Sequence, residues 1–244
     1  MNEQIEKLKK MIDDSDNIVF FGGAGVSTES GIPDFRSADG LYNRSSGTRY
    51  SPEQLISHTF YVRHPEMFYR FYRDNMVITD VEPNPAHYAL AELEKQGKLK
   101  AVITQNIDGL HQKAGSKNVF ELHGSIHRNY CVKCKKFYDA EYVKNYPETV
   151  PLCDCGGMIK PDVVLYEESL PQDQLEGAIK AISRAKLLIV GGTSLVVYPA
   201  AGLLEYFTGD GLVLINKSAT SYDGSADLII REPIGETLKK AVLE

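Results

Sequence analysis

The chain has 244 residues, 43% of them hydrophobic, and a net charge of −6. That is enough apolar material for a sizeable core, carried as one large domain or as one domain with a smaller insert. The acidic balance excludes a global basic field drawing the protein to nucleic acid or anionic lipid, and the longest apolar runs are strand-sized, too short for a membrane span. The start, Met1 to Lys7, lacks the basic-then-apolar pattern of a secretory signal. The four cysteines fall in two pairs, which in a reducing compartment suggests metal before disulfide. A cytoplasmic protein with neither membrane nor nucleic-acid partners is the expectation.

Ile5, Leu8, Met11 and Ile12 at helical spacing predict a first amphipathic helix over 3–14. Residues 17–21, apolar and rich in β-branched and aromatic side chains, predict a buried strand. Gly22 to Arg36 follows it. Glycines after a strand let the backbone approach a phosphate, and a helix starting near Ser27 or Thr28 would add its positive end. The spacing departs from the ordinary dinucleotide fingerprint. From Gly23 it reads G-x-G-x-x-T, without the third glycine and without an acid ending a second strand. Ile32-Pro33-Asp34-Phe35-Arg36 then sets a stiff turn, a carboxylate, an aromatic plate and a guanidinium side by side, with no hydrophobic period. Packing does not ask for that set, and a cofactor loop does.

Residues 37–50 read as irregular. Ser51-Pro52-Glu53-Gln54 is a helix start with a capping box. Phe68, Phe71, Tyr72 and Asn75 or Met76 form an aromatic helical stripe, a core face that can also wall a pocket. Asn84-Pro85 starts a helix that Gly97 ends. Strands are predicted at 99–104, 119–122, 187–190, 212–215 and 227–230, with helices at 172–184, at 199–207 and from Gly235. This alternation predicts an α/β fold: a doubly wound parallel Rossmann-type sheet with ligands at the strands' carboxyl ends. Four tips lie there: Gly22 to Ser27, Gln105 to Asp108, Gly191 to Ser194 and Asn216 to Ser218. Their small, amide and hydroxyl side chains suit ribose and phosphate.

Cys131-x2-Cys134 and Cys153-x-Cys155 are separated by eighteen residues, the pattern of a zinc ribbon with four thiolates on structural zinc. Such a site replaces a core that a short insert cannot supply, with binding worth roughly 10–16 kcal/mol in small modules. Lys133, Lys135 and Lys136 beside it read as a solvated face. His123 ends the strand at 119–122 and should face Gln105 to Asp108, where a neutral imidazole can take a proton from a ribose hydroxyl. His58, His64, His87, His111 and His127 read as structural.

Residues 23–36 (GAGVSTESGIPDFR), 104–111 (TQNIDGLH), 122–124 (LHG), the four cysteines, 192–195 (GTSL) and Ile215-Asn216 together resemble a sirtuin, in the family's order across nearly the whole chain. The resemblance implies an NAD-dependent protein lysine deacetylase whose partners are acetyl-lysine proteins or peptides. It also implies a large NAD-binding Rossmann-type domain of residues 1–36, 79–125 and 159–244. The smaller domain comprises a helical insert at 37–78 and a zinc-ribbon insert at 126–158. NAD is consumed: the acyl oxygen attacks the ribose carbon, nicotinamide leaves, and O-acetyl-ADP-ribose and free lysine result. By resemblance His123 is the general base. Asp108 and the Ile107 backbone hold the nicotinamide amide, and Phe35 covers the site beside Arg36. Gly23, Ala24, Gly25 and Thr28 lie at the diphosphate, Gln105 and Asn106 at the ribose, and Thr193, Ser194 and Asn216 at the adenosine side.

Two departures stand out. The family's Phe-Gly-Glu after the peptide-binding strand is Tyr166-Glu167-Glu168 here, and the adjacent acids suggest a preference for basic flanking sequence. The Tyr-x-x-Arg of succinyl- and malonyl-removing members is absent over 68–75. A buried carboxylate without a guanidinium is costly, so neutral acyl groups are expected. The competing readings are an ADP-ribosyltransferase sharing the NAD site, an NAD-sensing binding module, and, further off, a hydride-transferring dehydrogenase.

Overall fold

A computed structural model describes residues 3–35, 40 and 49–244. Six parallel strands form the main sheet: β1 (Ile18–Gly22), β2 (Leu99–Thr104), β3 (Val119–Glu121), β7 (Leu187–Gly191), β8 (Gly211–Ile215) and β9 (Leu228–Ile230). Their order is β3-β2-β1-β7-β8-β9, the doubly wound Rossmann arrangement, and the winding reverses between β1 and β7. β1 shows why these residues make a central strand. Ile18 and Phe20 face one hydrophobic core while Val19 and Phe21 face the other, so period-two alternation fills both sides and no polar residue fits.

The first core is covered by α1 (Glu3–Asp13), α5 (Pro85–Lys95) and α9 (Ile234–Leu238), and the second by α8 (Gln172–Arg184) and a 3-10 helix at Ala200–Tyr206. The expected helix at 199–207 thus takes the tighter 3-10 form. The expected helix near Ser27 is absent. Two single 3-10 turns, Ala24–Val26 and Thr28–Ser30, stand in its place, and Gly31 leaves them in a left-handed conformation. Glycine disfavours helix, and Ser27 points its hydroxyl at Asp108 instead.

A second, antiparallel sheet has the order β5-β4-β6: β4 (Gly124–Cys131), β5 (Phe137–Tyr138) and β6 (Ile159–Val163). With α2 (Pro52–Leu55), α3 (His58–Arg63), α4 (Pro65–Asn75) and α7 (Ala140–Asn145) it encloses a third core. Phe68, Tyr69 and Tyr72 of α4 are fully buried there against Ile159 and Cys131, and the Tyr69 hydroxyl donates to Ile159 O. Each such ring contributes roughly 1.5–3 kcal/mol by burial. The expected stripe is therefore shifted: Tyr69 is inside and Phe71 only partly so.

The two predicted caps form. Ser51 and Gln54 make the capping box of α2. Asn84 caps α5 by accepting from Ala86 N, and its amide also donates to Val26 O at 2.7 Å and Ser30 Oγ at 3.0 Å. One side chain thus starts a helix and ties down the glycine loop. Among the described residues no helix is long and apolar enough to cross a membrane.

On α5 and α6 (Leu110–Lys113) respectively, His87 and His111 are buried with ring centroids 4.7 Å apart. His87 Nδ1 accepts from Asn84 N, while Nε2 of His87 and both nitrogens of His111 have no partner among the described residues. Burial pulls the affinity of His87 for its proton down to about 4 and that of His111 well below the ordinary value. Unfolded, both histidines charge as pH falls through about 6.5, so the unfolded chain then binds more protons and stability drops. We expect the urea midpoint to fall from pH 7 toward pH 4.5, each histidine contributing at most about 1.4 kcal/mol per pH unit. Denaturation of a His111→Leu variant across that range should show a shallower acid limb. An unchanged slope would refute the assignment.

Candidate active site

The carboxyl ends of β1, β2, β7 and β8 open into one cavity of about 830 Å³, lined by residues from all four predicted tips and by Ile56, Asn75, Met76 and Val163 to Glu168. At the switch point two glycine segments touch. Gly25 N donates to Gly192 O at 2.8 Å and Gly23 N to Gly191 O at 3.2 Å. A Cβ on Gly25 would lie 2.8 Å from Gly192 Cα, and Gly192 itself is left-handed (φ +59°). Only glycine fits this crossing. The amides of Gly23 and Gly25 are therefore engaged within the fold, unlike the bare donors expected of them, and Ala24 N–H is the one of the three without a bond among the described residues.

Behind this loop Ser27, 1% exposed, donates to Asp108 Oδ2 at 2.7 Å and accepts from Asn106 Nδ2 at 3.0 Å. Asp108 Oδ1 accepts from Leu110 N at 2.9 Å, and Asp108 O accepts from His127 Nε2 at 2.9 Å. Ile107 O is taken by Ile126 N. The 105–109 turn is thus held from three sides. Ser27 was expected only as the end of the first tip and a helix start, and its bonds to Asp108 and Asn106 were not foreseen. Its signal was present, since a hydroxyl two residues past the glycine pair faces the Asn-x-Asp turn once β1 and β2 pair side by side.

His123 sits between β3 and β4 and lines the cavity. Its Nδ1 lies 2.9 Å from Gln105 O, so Nδ1 carries the proton and Nε2 keeps its lone pair. Burial lowers its proton affinity below the ordinary histidine value, partly offset by that bond. The ring is neutral at pH 7 and fit to accept a proton. Gln105 Nε2 donates to Thr193 Oγ1 at 3.1 Å, linking two of the tips. Thr28 donates to Gly25 O, and Asn216 Nδ2 bonds Ser218 O. Phe35 and Ser194 line the same cavity. Arg36 lies outside the described residues. Glu29 and Lys217, which lie within the 23–36 motif and the 216–218 tip without an assigned role, also line the cavity, as do Tyr198 and Glu232, which no motif had marked.

The adjacent acids have partners within the fold, while Glu167 itself stays exposed. Glu168 takes His58 Nδ1 at 2.8 Å, Lys160 Nζ at 3.1 Å and Leu165 N at 2.9 Å, and Glu167 Oε2 takes Thr59 N at 2.8 Å. They brace the cavity wall.

Away from the cavity, the sulfurs of Cys131, Cys134, Cys153 and Cys155 all lie within 4.8 Å of one another. Cys131 and Cys155 are 3.4 Å apart, Cys134 and Cys153 3.5 Å. Tetrahedral zinc with bonds of about 2.3 Å spaces its sulfurs by about 3.8 Å, so the four can close on the ion with small adjustments and leave no open position.

The Sir2 family profile matches residues 23–199. The NAD-dependent protein deacetylase of Clostridium acetobutylicum is 61% identical over 241 residues, covering 98% of both chains. A Sir2 structure with a deacetylated p53 peptide and 3′-O-acetyl-ADP-ribose superposes with a TM-score of 0.89 at 42% identity, covering 97% of this chain and 96% of that one. A Sir2 complex with p53 peptide and NAD+ gives 0.86 at 42% identity over the same shares. With its doubly wound sheet, its glycine crossing and its strand-end histidine, this chain belongs to the Sir2 family.

Proposed function

We propose that the protein is an NAD-dependent protein lysine deacetylase, acting on acetyl-lysine proteins or peptides in the cytoplasm. The single observation that carries this reading is the neutral, Gln105-oriented His123 in the cavity at the switch point. The relatives named above, deacetylases and Sir2 proteins with peptide, NAD+ or acetylated ADP-ribose, support it. NAD, when bound, supplies a ribose carbon that loses nicotinamide and a sugar hydroxyl that receives the acetyl group.

The chain's own residues do the rest. His123 Nε2 accepts the proton of that hydroxyl. Gly23, Ala24, Gly25 and Thr28 hold the diphosphate, with Ala24 N–H as donor and the glycines as the space for close approach. Gln105 and Asn106 contact the ribose, Ile107 and Asp108 the nicotinamide, and Thr193, Ser194 and Asn216 the adenosine side. Phe35 excludes water, and Arg36 is assigned to the cofactor beside it. Cys131, Cys134, Cys153 and Cys155 hold structural zinc. The third core supports a small domain built from inserts 37–78 and 126–158 on a large domain of 1–36, 79–125 and 159–244, because α4 and the ribbon share it, with the small sheet and its core running on past 158 through β6.

Incubation of zinc-replete protein with NAD and a panel of acyl-lysine peptides, followed by mass spectrometry, should yield nicotinamide, O-acyl-ADP-ribose and deacylated peptide. Absence of all three sinks the reading. His123→Ala should lower turnover at least about 100-fold, the usual contribution of general acid–base catalysis. Within the panel, acetyl-lysine should outrun succinyl-lysine, since Asn75, Met76, Ile56 and Ile78 offer the cavity no cation; the reverse order would overturn the neutral-acyl assignment.

Zinc content and stability give a separate check. One zinc per chain is expected, and Cys134→Ser should bind it more weakly and melt at lower temperature. A zinc-free wild-type protein that melts like the metal-loaded one would rule out a structural metal.

A further inference from the structure

Glu167 stands at φ +77°, a left-handed backbone that disfavours any residue with a Cβ. Its carboxylate accepts from Thr59 N at 2.8 Å, in the first turn of α3. Three neighbouring contacts extend this seam. His58 N donates to Tyr166 O at 3.0 Å, Tyr166 N donates to Ile56 O at 3.1 Å, and Glu168 joins His58 Nδ1 to Leu165 N. Residues 165–168 are thereby stitched to 56–59. Ile56 and Val163 to Glu168 line the cavity, so the seam sets the shape of one of its walls. The Sir2-like motif has glycine where this chain has Glu167, and a glycine there keeps the left-handed turn without the bond to α3.

We propose that Glu167 is a positioning residue for the peptide substrate: by capping Thr59 N it holds the wall at 164–168 in its peptide-accepting shape before substrate arrives. The inference rests on the deacetylase reading of the site. Backbone pairing with an extended peptide needs an edge of fixed shape, and a wall ordered in advance spares the peptide the entropy of ordering it.

The test uses full-length, zinc-replete protein with an acetyl-lysine peptide and saturating NAD. Glu167→Ala and Glu167→Gly should each raise the peptide KM about three- to tenfold, with kcat and the NAD KM within about twofold of wild type. Glu167→Gln retains an acceptor for Thr59 N and should restore the peptide KM to within about twofold. The glycine variant separates cap from conformation. If the left-handed backbone were all that mattered, Glu167→Gly would bind peptide at least as well as wild type, and that result overturns the proposal. Amide hydrogen exchange without substrate gives an independent arm: residues 164–168 should exchange faster in the alanine and glycine variants. Unchanged exchange defeats the proposal whatever the activity, and so does faster exchange with an unchanged peptide KM. A wild-type protein that forms no O-acetyl-ADP-ribose removes the deacetylase reading and this proposal's substrate with it. An active wild type with an indifferent Glu167→Ala removes the proposal alone.

Discussion

The site depends on one close approach, the crossing of Gly25 over Gly192 where β1 and β7 part. A doubly wound sheet leaves a crevice wherever its winding reverses, and the width of that crevice is set by what its rims can bear. Here both rims are glycine, so backbone meets backbone, with Gly25 N donating to Gly192 O at 2.8 Å. That contact pulls the 23–31 loop across the sheet's carboxyl edge and brings Ser27 within reach of Asp108. Asn84 pins the same loop from α5, and Glu29 pins it from the other side by accepting from Gly235 N at 2.8 Å at the start of α9. A side chain at either glycine would move every one of these bonds.

Much of this was legible in the sequence because it is local or periodic. The alternation of β1 between two cores, the caps at Ser51 and Asn84 and the cysteine spacing each follow from neighbours a few residues apart. His123 at a strand end was legible for the same reason. The parts that escaped depend on contacts distant along the chain. Ser27 matters through Asp108, 81 residues on, and Glu29 through Gly235, 206 residues on. The expected helix at Ser27 failed because local propensity said nothing of the hydroxyl's distant partner. The partners that the adjacent acids at 167–168 find within the fold escaped for the same reason. As a sequence they are two open charges, and in the fold their partners come from α3 and β6.

The Gly23 and Gly25 amides carry a related lesson. A glycine-rich turn after a strand suggests donors aimed at phosphate, yet these two donors close the β1–β7 crossing. Glycine serves there by being small. That leaves fewer backbone donors than an ordinary dinucleotide fingerprint presents, which agrees with the missing third glycine. A cradle with fewer fixed donors would constrain a diphosphate less, and in the proposed reading the remaining hold on the nucleotide falls to side chains such as Thr193 and Asn216.

For His123 to serve as the proposed base its position must be secured independently of the cavity, because a base that drifts by an ångström loses its proton path. The chain does this from behind the ring. Glu121, two residues earlier and buried, pairs with Arg128 at 2.6 Å, and the same guanidinium holds Asp162 of β6 at 2.7 Å. Val164 N bonds His123 O directly. A buried carboxylate without its guanidinium is strongly destabilising, so the Arg128 clamp is a connection the fold cannot give up cheaply. It spans the main sheet at β3 and the small sheet at β4 and β6, and it crosses them beside His123. The segment that carries His123 is therefore tied to both sheets at once, whereas among the described residues the imidazole itself is bonded only through Nδ1. That division leaves the lone pair on Nε2 of a ring that lines the cavity, which is what the proposed general base at this strand end requires.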